Sequence, residues 1–173
     1  MKFKANFQIP KVNLTRFKSV LHSHLSEKLA QAGAVWLQAT AEGPVPVWSG
    51  ASRATFQPLA SYVGYVLSIA PVGDAPNRIS LGLSNGTASF EAGTAGTGIY
   101  SFSYTTTLPH LIFNEYNNAN AYPPVNGHQF HLTHPGPYDF QGKGKRAFQQ
   151  FARNEVSLPG WSSFIDVSSL STG

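Results

Sequence analysis

The first quarter of the chain carries one apolar stripe at helical spacing. Its members recur every three or four residues and fall within about 60° of one line on a helix; they are Leu14, Phe17, Leu21, Leu25, Leu29, Ala32, Trp36 and Ala39. Asn13 can cap the start, and Gly43-Pro44 is a strong stop. We predict a helix over residues 13–42 whose stripe packs into the core, long enough for one end to reach a neighbouring molecule.

The segment after this helix is rich in turn-forming residues. The prolines at 44 and 46 favour extended backbone, which predicts a connector over residues 44–50. Ser49 can cap a second helix over residues 51–65, which Pro58 could kink.

The middle of the chain changes to alternating polar and apolar positions. Apolar residues at 79, 81 and 83 predict a strand, and the turn at 84–87 predicts a hairpin into residues 88–92. A glycine-rich loop follows at 93–98. Tyr100, Phe102 and Tyr104 then alternate with Ser and Thr, which predicts a half-buried strand.

The last third predicts less regular structure. We expect residues 111–113 to continue the sheet, 117–137 to form a long loop and 145–155 to form a short helix. The predicted fold is therefore α+β: a small, mainly antiparallel β-sheet packed by a long N-terminal helix and a short C-terminal helix. We predict one domain over residues 1–155 and an extended tail over residues 156–173.

Composition indicates a surface that is covered by partners. Hydrophobic residues make up 42% of the 173-residue chain and charged residues only 12%, about half the usual share of charge. A weakly charged surface is typical of a subunit whose surface is largely covered by its partners in an assembly. The alternative is a secreted β-rich domain with a polar, uncharged surface.

Charge is unevenly distributed along the chain. Residues 1–28 hold six basic residues and one acidic residue, which gives a net charge of +5. Residues 29–141 hold two basic and five acidic residues, a net charge of −3, and residues 142–173 hold four basic and two acidic residues, a net charge of +2. Basic ends can contact nucleic acid or an acidic neighbouring subunit. A solvated face is the simpler alternative.

A group of histidines is the most obvious candidate for metal binding. His128, His131 and His134 lie three residues apart, with His110 upstream. On a strand His128 and His131 point to opposite faces, and no acidic residue lies among them to complete a zinc site. We therefore expect loop histidines that form local or interfacial hydrogen bonds, and no bound metal.

The sequence lacks a recognisable catalytic set. Cysteine is absent, which excludes a thiolate nucleophile and a disulfide framework. The eight carboxylates are far apart in sequence, and no Gly-x-Ser-x-Gly nucleophile elbow occurs. The N-terminus has no signal-peptide pattern, and no apolar run approaches the roughly 18 residues of a membrane span. We expect a protein without enzymatic activity, cofactor or membrane contact.

Two other features have a candidate role in binding. Lys143, Lys145 and Arg146 lie in a glycine-containing turn that opens the predicted C-terminal helix, where they could contact a DNA backbone or dock on a neighbouring subunit. We expect the second. The aromatic and histidine residues of 100–140 could instead serve a glycan-binding or hydrolytic β-rich domain, although alternating aromatic residues are more often core.

Three short motifs, in this order, resemble a known family. Residues 46–53 read PVWSGASR, with Ser49 at a position that the family fills with Thr or Ser, residues 113–116 read FNEY, and residues 146–148 read RAF within the C-terminal helix. Together with the long N-terminal helix, this order resembles the tail-completion or head–tail joining proteins of tailed bacteriophages. The resemblance covers roughly residues 14–155.

The resemblance implies a structural role in the virion. Proteins of this family form a ring in the phage neck, here expected to be sixfold or twelvefold, that joins or terminates the tail. The implied partners are further copies of the chain, the portal-side connector and the tail-tube proteins, with transient, non-specific contact to double-stranded DNA. The protein would assemble in the host cytoplasm. Residues expected at an interface or facing DNA are Lys143, Lys145, Arg146, Arg53 and Trp48.

Overall fold

A computed structural model describes residues 14–45, 47–93, 99–109, 111 and 139–157. Helix α1 spans Leu14–Leu37 and continues as a π-helix over Gln38–Glu42. Helices α2 (Ala51–Ala54), α3 (Gln57–Val63) and α4 (Ile79–Ser84) follow, then strands β1 (Gly86–Ala92) and β2 (Tyr100–Thr106), and finally helix α5 (Phe140–Glu155). The architecture is α+β, as predicted. Within these residues no helix is long and apolar enough to cross a membrane.

The long N-terminal helix is confirmed, but its apolar stripe is not buried throughout. Leu29, Ala32 and Leu37 are buried, whereas Leu14 is 68% exposed. The buried part packs on α3 so closely that a Cβ at Gly33 would lie 2.7 Å from Cγ1 of Val63. The prediction that the whole stripe lies in the core is therefore wrong at its N-terminal end.

The sheet is an antiparallel pair of strands that packs one face on α1 and α3. Gly86 pairs with Thr106 at one end and Ala92 with Tyr100 at the other. Phe102 and Tyr104 face the core, while the opposite face carries Ser and Thr, with the hydroxyls of Ser89 and Ser103 hydrogen-bonded at 2.8 Å. The predicted alternation in β2 is confirmed.

Aromatic rings fill the space between α1, α2, β2 and α5. Phe56 stacks on Tyr104 with centroids 4.3 Å apart and rings inclined by 14°. Trp36 lies 5.8–6.1 Å from the rings of Phe56, Phe102 and Tyr104. Phe56 and Phe140 are buried, so this aromatic cluster is the centre of the core.

The predicted strand at 79–83 is wrong, because these residues form helix α4. Asn77 accepts a hydrogen bond from the Ile79 N–H through Oδ1, which stabilises the helix start. Gly82 faces α2, and a Cβ there would lie 2.1 Å from the Ala51 carbonyl oxygen. Apolar residues at alternate positions therefore do not line one face of a sheet here. The hairpin partner of β1 is β2, which follows it.

The C-terminal helix begins five residues before the predicted position, at Phe140. It follows Asp139, whose φ of 48° is left-handed and whose carbonyl accepts the Lys143 N–H at 2.9 Å. The basic turn of the prediction is therefore part of the helix itself. Glycine at 144 is required by packing, since a Cβ there would lie 2.2 Å from Thr40 Oγ1 and 2.6 Å from Trp36 Nε1.

Leu111 was expected in the sheet but lies in a short helical turn. Its N–H donates to the Leu108 carbonyl at 3.1 Å, and both side chains are buried. The rest of 111–113, the loop 117–137 and the tail beyond Ser157 lie outside the described residues.

Candidate functional site

The segment that carries the first motif is built around a close crossing of two chain segments. The Trp48 carbonyl accepts the Val72 N–H at 2.9 Å, and the Ser49 carbonyl accepts the Arg78 N–H at 2.9 Å. Gly50 has a φ of 79°, and a Cβ there would lie 2.3 Å from the Ile69 carbonyl oxygen. Gly50 of the motif is thus explained by packing, and the backbone of Trp48 and Ser49 holds residues 69–78 against the start of α2. The prediction that Ser49 caps this helix is wrong, because the residue before α2 is Gly50 and no side chain of the described residues caps the helix start.

Arg53 of the same motif binds backbone carbonyls of its own chain. Its Nε donates to Val45 O at 2.8 Å, its Nη2 to Glu42 O at 2.8 Å and its Nη1 to Ser68 O at 3.3 Å. Two of these carbonyls lie at or just beyond the end of the π-helix, where intrahelical donors are missing. Burial lowers the pKa of the Arg53 guanidinium, against the opposing effect of Glu42. Arg53 therefore joins three segments of the fold.

A tyrosine completes the surroundings of Arg53. The Tyr65 hydroxyl donates to Glu42 Oε2 at 2.8 Å. Burial, followed by this hydrogen bond, raises the pKa of Tyr65 to about 12. The side chain is a neutral donor at physiological pH, so it anchors the Glu42 carboxylate beside Arg53.

Trp48, the second candidate of this segment, forms one wall of an open groove. The groove has a volume of about 710 Å³ and is lined by Trp48, Val72, Asp74, Ala75, Pro76 and Arg78. The loop that forms the other wall turns at Gly73, with a φ of 55°, and the Ala75 N–H donates to Val72 O. Trp48 is 41% exposed there, so its indole is accessible from outside.

Trp48 belongs to a larger set of exposed apolar side chains, which we call the apolar surface residues. Val66 is 89% exposed and Val72 is 59% exposed. The full set within residues 48–83 comprises Trp48, Tyr62, Val66, Val72, Leu81 and Leu83. Trp48 and Val72 line the same groove, and contiguous exposed apolar surface is a feature of sites that contact other proteins.

The other candidates lie on α5, where they form what we call the basic face: Lys143, Lys145, Arg146 and Arg153. All four side chains are exposed, whereas Phe140 and Gly144 of the same helix are buried. Arg146 Nη2 lies 2.6 Å from Asp139 Oδ2, with 65% and 48% of the two side chains exposed. Because water screens this pair, it contributes at most about 1 kcal/mol.

Helix α5 is fixed in position by its packing on α1, which runs antiparallel to it. Near one end Gly144 contacts Trp36 and Thr40, and near the other His24 Nε2 lies 2.6 Å from the Ser157 carbonyl oxygen. Between them, Lys28 Nζ lies 5.8 Å from the centre of the Phe151 ring. The basic face therefore projects from a helix that is anchored along its length.

The structure does not bring the five predicted residues into one site. Lys143, Lys145 and Arg146 all lie on the exposed side of α5, while Trp48 and Arg53 lie at the crossing near α2. Arg153 was missed, although it lies seven residues after Arg146 and so shares its face. The earlier start of α5 at Phe140 adds Lys143 to the helix that carries the other three basic residues.

The other predicted candidates lie outside the described residues. They are His110, His128, His131, His134 and the motif at 113–116. In the part of the chain that is described, no group of three or more His, Asp or Glu residues could hold a metal ion.

The chain was compared with protein-family models, curated proteins and solved structures, and none of the three comparisons gives a match.

Proposed function

We propose that this chain is a structural protein of a phage neck that forms a ring of six or twelve copies and joins or terminates the tail. Its role would be structural rather than catalytic. It would assemble in the host cytoplasm and remain in the virion. Its neighbours would be the portal-side connector and the tail-tube proteins. The proposal rests on the resemblance at residues 46–53, 113–116 and 146–148, and the α+β fold is compatible with it.

The observation that supports this proposal most is the exposure of the apolar surface residues. Six large apolar side chains within residues 48–83 contact solvent in the single chain, which has only 12% charged residues. Burying one such side chain fully stabilises an interface by about 1.5–3 kcal/mol. Trp48 has the residue type that most often dominates interface energies.

The rigidity of this region also favours an interface. The backbone hydrogen bonds at Trp48 and Ser49 hold the loop around Val72 in place before any partner binds. A preformed surface loses little conformational entropy on association. This property suits a ring, in which the same contact repeats between all subunits.

The hydrolytic or glycan-binding alternative loses part of its basis. It relied on the aromatic and histidine residues of 100–140, but Phe102 and Tyr104 pack against Trp36 in the core. Their rings are therefore not available to stack on a sugar.

Native mass spectrometry of the full chain tests the ring. We expect a species of six or twelve times 18.7 kDa. Val66→Glu combined with Leu81→Glu should give a folded monomer, because both side chains are exposed in the single chain. Ile99→Glu combined with Val156→Glu is the matched control, since it adds the same two charges at exposed apolar residues outside 48–83 and should leave the ring intact. A wild type that stays at 18.7 kDa, alone and with connector and tail-tube proteins of the same phage, would contradict the proposal.

A further inference from the structure

We infer that the basic face of α5 is a binding site for the phosphate backbone of double-stranded DNA. The inference deepens the proposed function by giving one surface of the chain a ligand. It rests on that function only for the source of the DNA. The binding itself is a property of the single protomer and can be measured without a ring.

The first argument is the composition of the exposed side of the helix. It carries the four basic side chains of the basic face. Between Arg146 and Arg153 it also exposes the amide side chains of Gln149 and Gln150. Lysine, arginine and amide side chains are the groups that contact phosphate and sugar oxygens in protein–DNA complexes. From Lys143 to Arg153 the helix rises about 15 Å, a length that covers several phosphates of one strand.

The second argument is that most of these charges are not engaged within the described residues. Arg146 pairs with Asp139, but no ion pair in the described part of the chain involves Lys143, Lys145 or Arg153. The Arg146–Asp139 pair is itself exposed and weak, so a phosphate can compete for the guanidinium.

The third argument concerns the occupant. The exposed acidic side chains that are described are Glu27 on α1, Asp74 in the loop before α4, Glu91 on β1 and Glu155 at the end of α5. No described helix or strand carries more than one acidic residue, so none presents a row of carboxylates that would match the basic face on a second copy. The apolar side of α5 is covered by α1, as the contacts of Phe148 with Phe102 and of Phe151 with Lys28 demonstrate. A membrane-surface helix would need that side exposed. A polyanion with regularly spaced charges remains the best complement.

The test is the salt dependence of binding to a fluorescently labelled DNA duplex of random sequence, measured by anisotropy. In the triple variant Lys143→Gln, Lys145→Gln, Arg153→Gln, each lost phosphate contact should reduce the slope of log K against log salt by about 0.9. Three lost contacts mean that a fourfold rise in salt weakens wild-type binding roughly 40-fold more than it weakens binding of the variant.

The matched control removes three positive charges elsewhere, with Arg16→Gln, Lys18→Gln and Arg78→Gln. We expect this control to retain most of the wild-type slope, and an equal loss in both triple variants would overturn the site in favour of a net-charge effect. A gain-of-binding variant complements it. Asp139→Asn keeps a residue type that tolerates a φ of 48° and releases Arg146 from its pair, so duplex affinity should rise several-fold.

Native mass spectrometry of the same variants separates this inference from the proposed ring. Lost DNA binding with an intact oligomer supports the inference. Unchanged DNA binding with a lost oligomer would overturn it and identify the basic face as a contact between subunits. A wild type that binds DNA as a monomer would refute the ring and leave the DNA site standing.

Discussion

In the C-terminal half of α1, Leu29, Ala32 and Leu37 are buried, whereas Leu14 in the first turn is 68% exposed. Both halves carry the same apolar stripe. The C-terminal half, however, is enclosed by α3 at Gly33 and by β2 at Trp36, and the π-helix that continues it is covered by α5 at Thr40. The N-terminal half meets the end of the hairpin, where His22 Nδ1 and the Tyr100 hydroxyl are 3.0 Å apart. Helical periodicity identifies the face that can be buried, and the neighbouring elements determine how much of it is.

The largest effect is expected at the centre of the enclosed half. Trp36→Ala would remove a ring that contacts Phe56, Phe102 and Tyr104. We expect the free energy of unfolding to fall by about 3–5 kcal/mol. Urea unfolding measures this change, and Trp36→Phe should recover more than half of it. A loss below about 1 kcal/mol would indicate that the aromatic cluster does not stabilise α1.

The next effect tests the contact between α1 and α5. Gly144→Val places atoms where Thr40 Oγ1 and Trp36 Nε1 already lie, so the helices must separate. We expect a loss of about 3 kcal/mol. Gly142→Ala is the matched control on the same helix. The three atoms nearest to its Cβ would all belong to the Asp139 carboxylate, which is half exposed and can move. There the higher helix propensity of alanine should stabilise the protein by up to about 1 kcal/mol.

A third effect depends on pH and tests whether Tyr104, whose ring lies beside Trp36 of α1, is shielded from water. Burial raises the pKa of Tyr104 to about 12 from 10.0. The folded state therefore holds the hydroxyl proton more tightly than the unfolded state. The resulting stability is fully present below pH 10 and is lost as the pH rises toward 12, by at most about 3 kcal/mol.

Unfolding in urea at several alkaline pH values measures this loss. Tyr65, whose pKa is also raised to about 12, contributes to the wild-type curve, so the comparison is with Tyr104→Phe in an otherwise unchanged chain. The variant should lose less stability between pH 10 and 12. Equal slopes for the two proteins would mean that Tyr104 is hydrated.

The elements predicted correctly are those with long patterns. The apolar stripe that predicts α1 repeats over about seven helical turns. The alternation in β2 is reinforced by its aromatic residues, which favour strands. The pattern at 79–83 is too short to distinguish a strand from a single helical segment. There the outcome depends on Gly82, which lets α4 approach α2. That requirement comes from a distant part of the chain and leaves no local pattern.

The candidate sites show the same limit. Glycines at 142 and 144 have low helix propensity, and the predicted helix over 145–155 leaves out Lys143, which α5 includes because it begins at Phe140. Packing of Gly144 on Trp36 outweighs that propensity. Arg53 was expected to face a partner, but its hydrogen bonds to Val45, Glu42 and Ser68 depend on carbonyls that only the folded chain brings together.

The smallest effect is expected at the other end of α1 and completes the comparison. Leu14→Gln replaces a side chain that is 68% exposed with a polar residue of similar helix propensity. The free energy of unfolding of the monomer should change by no more than about 0.5 kcal/mol. The helix is long enough to reach a neighbour, so the same variant is also examined by native mass spectrometry. Unchanged stability with a weaker oligomer would assign this end of the stripe to a subunit contact. A loss of about 2 kcal/mol in the monomer would instead show that the N-terminal half is enclosed like the C-terminal half, and would contradict the difference between them.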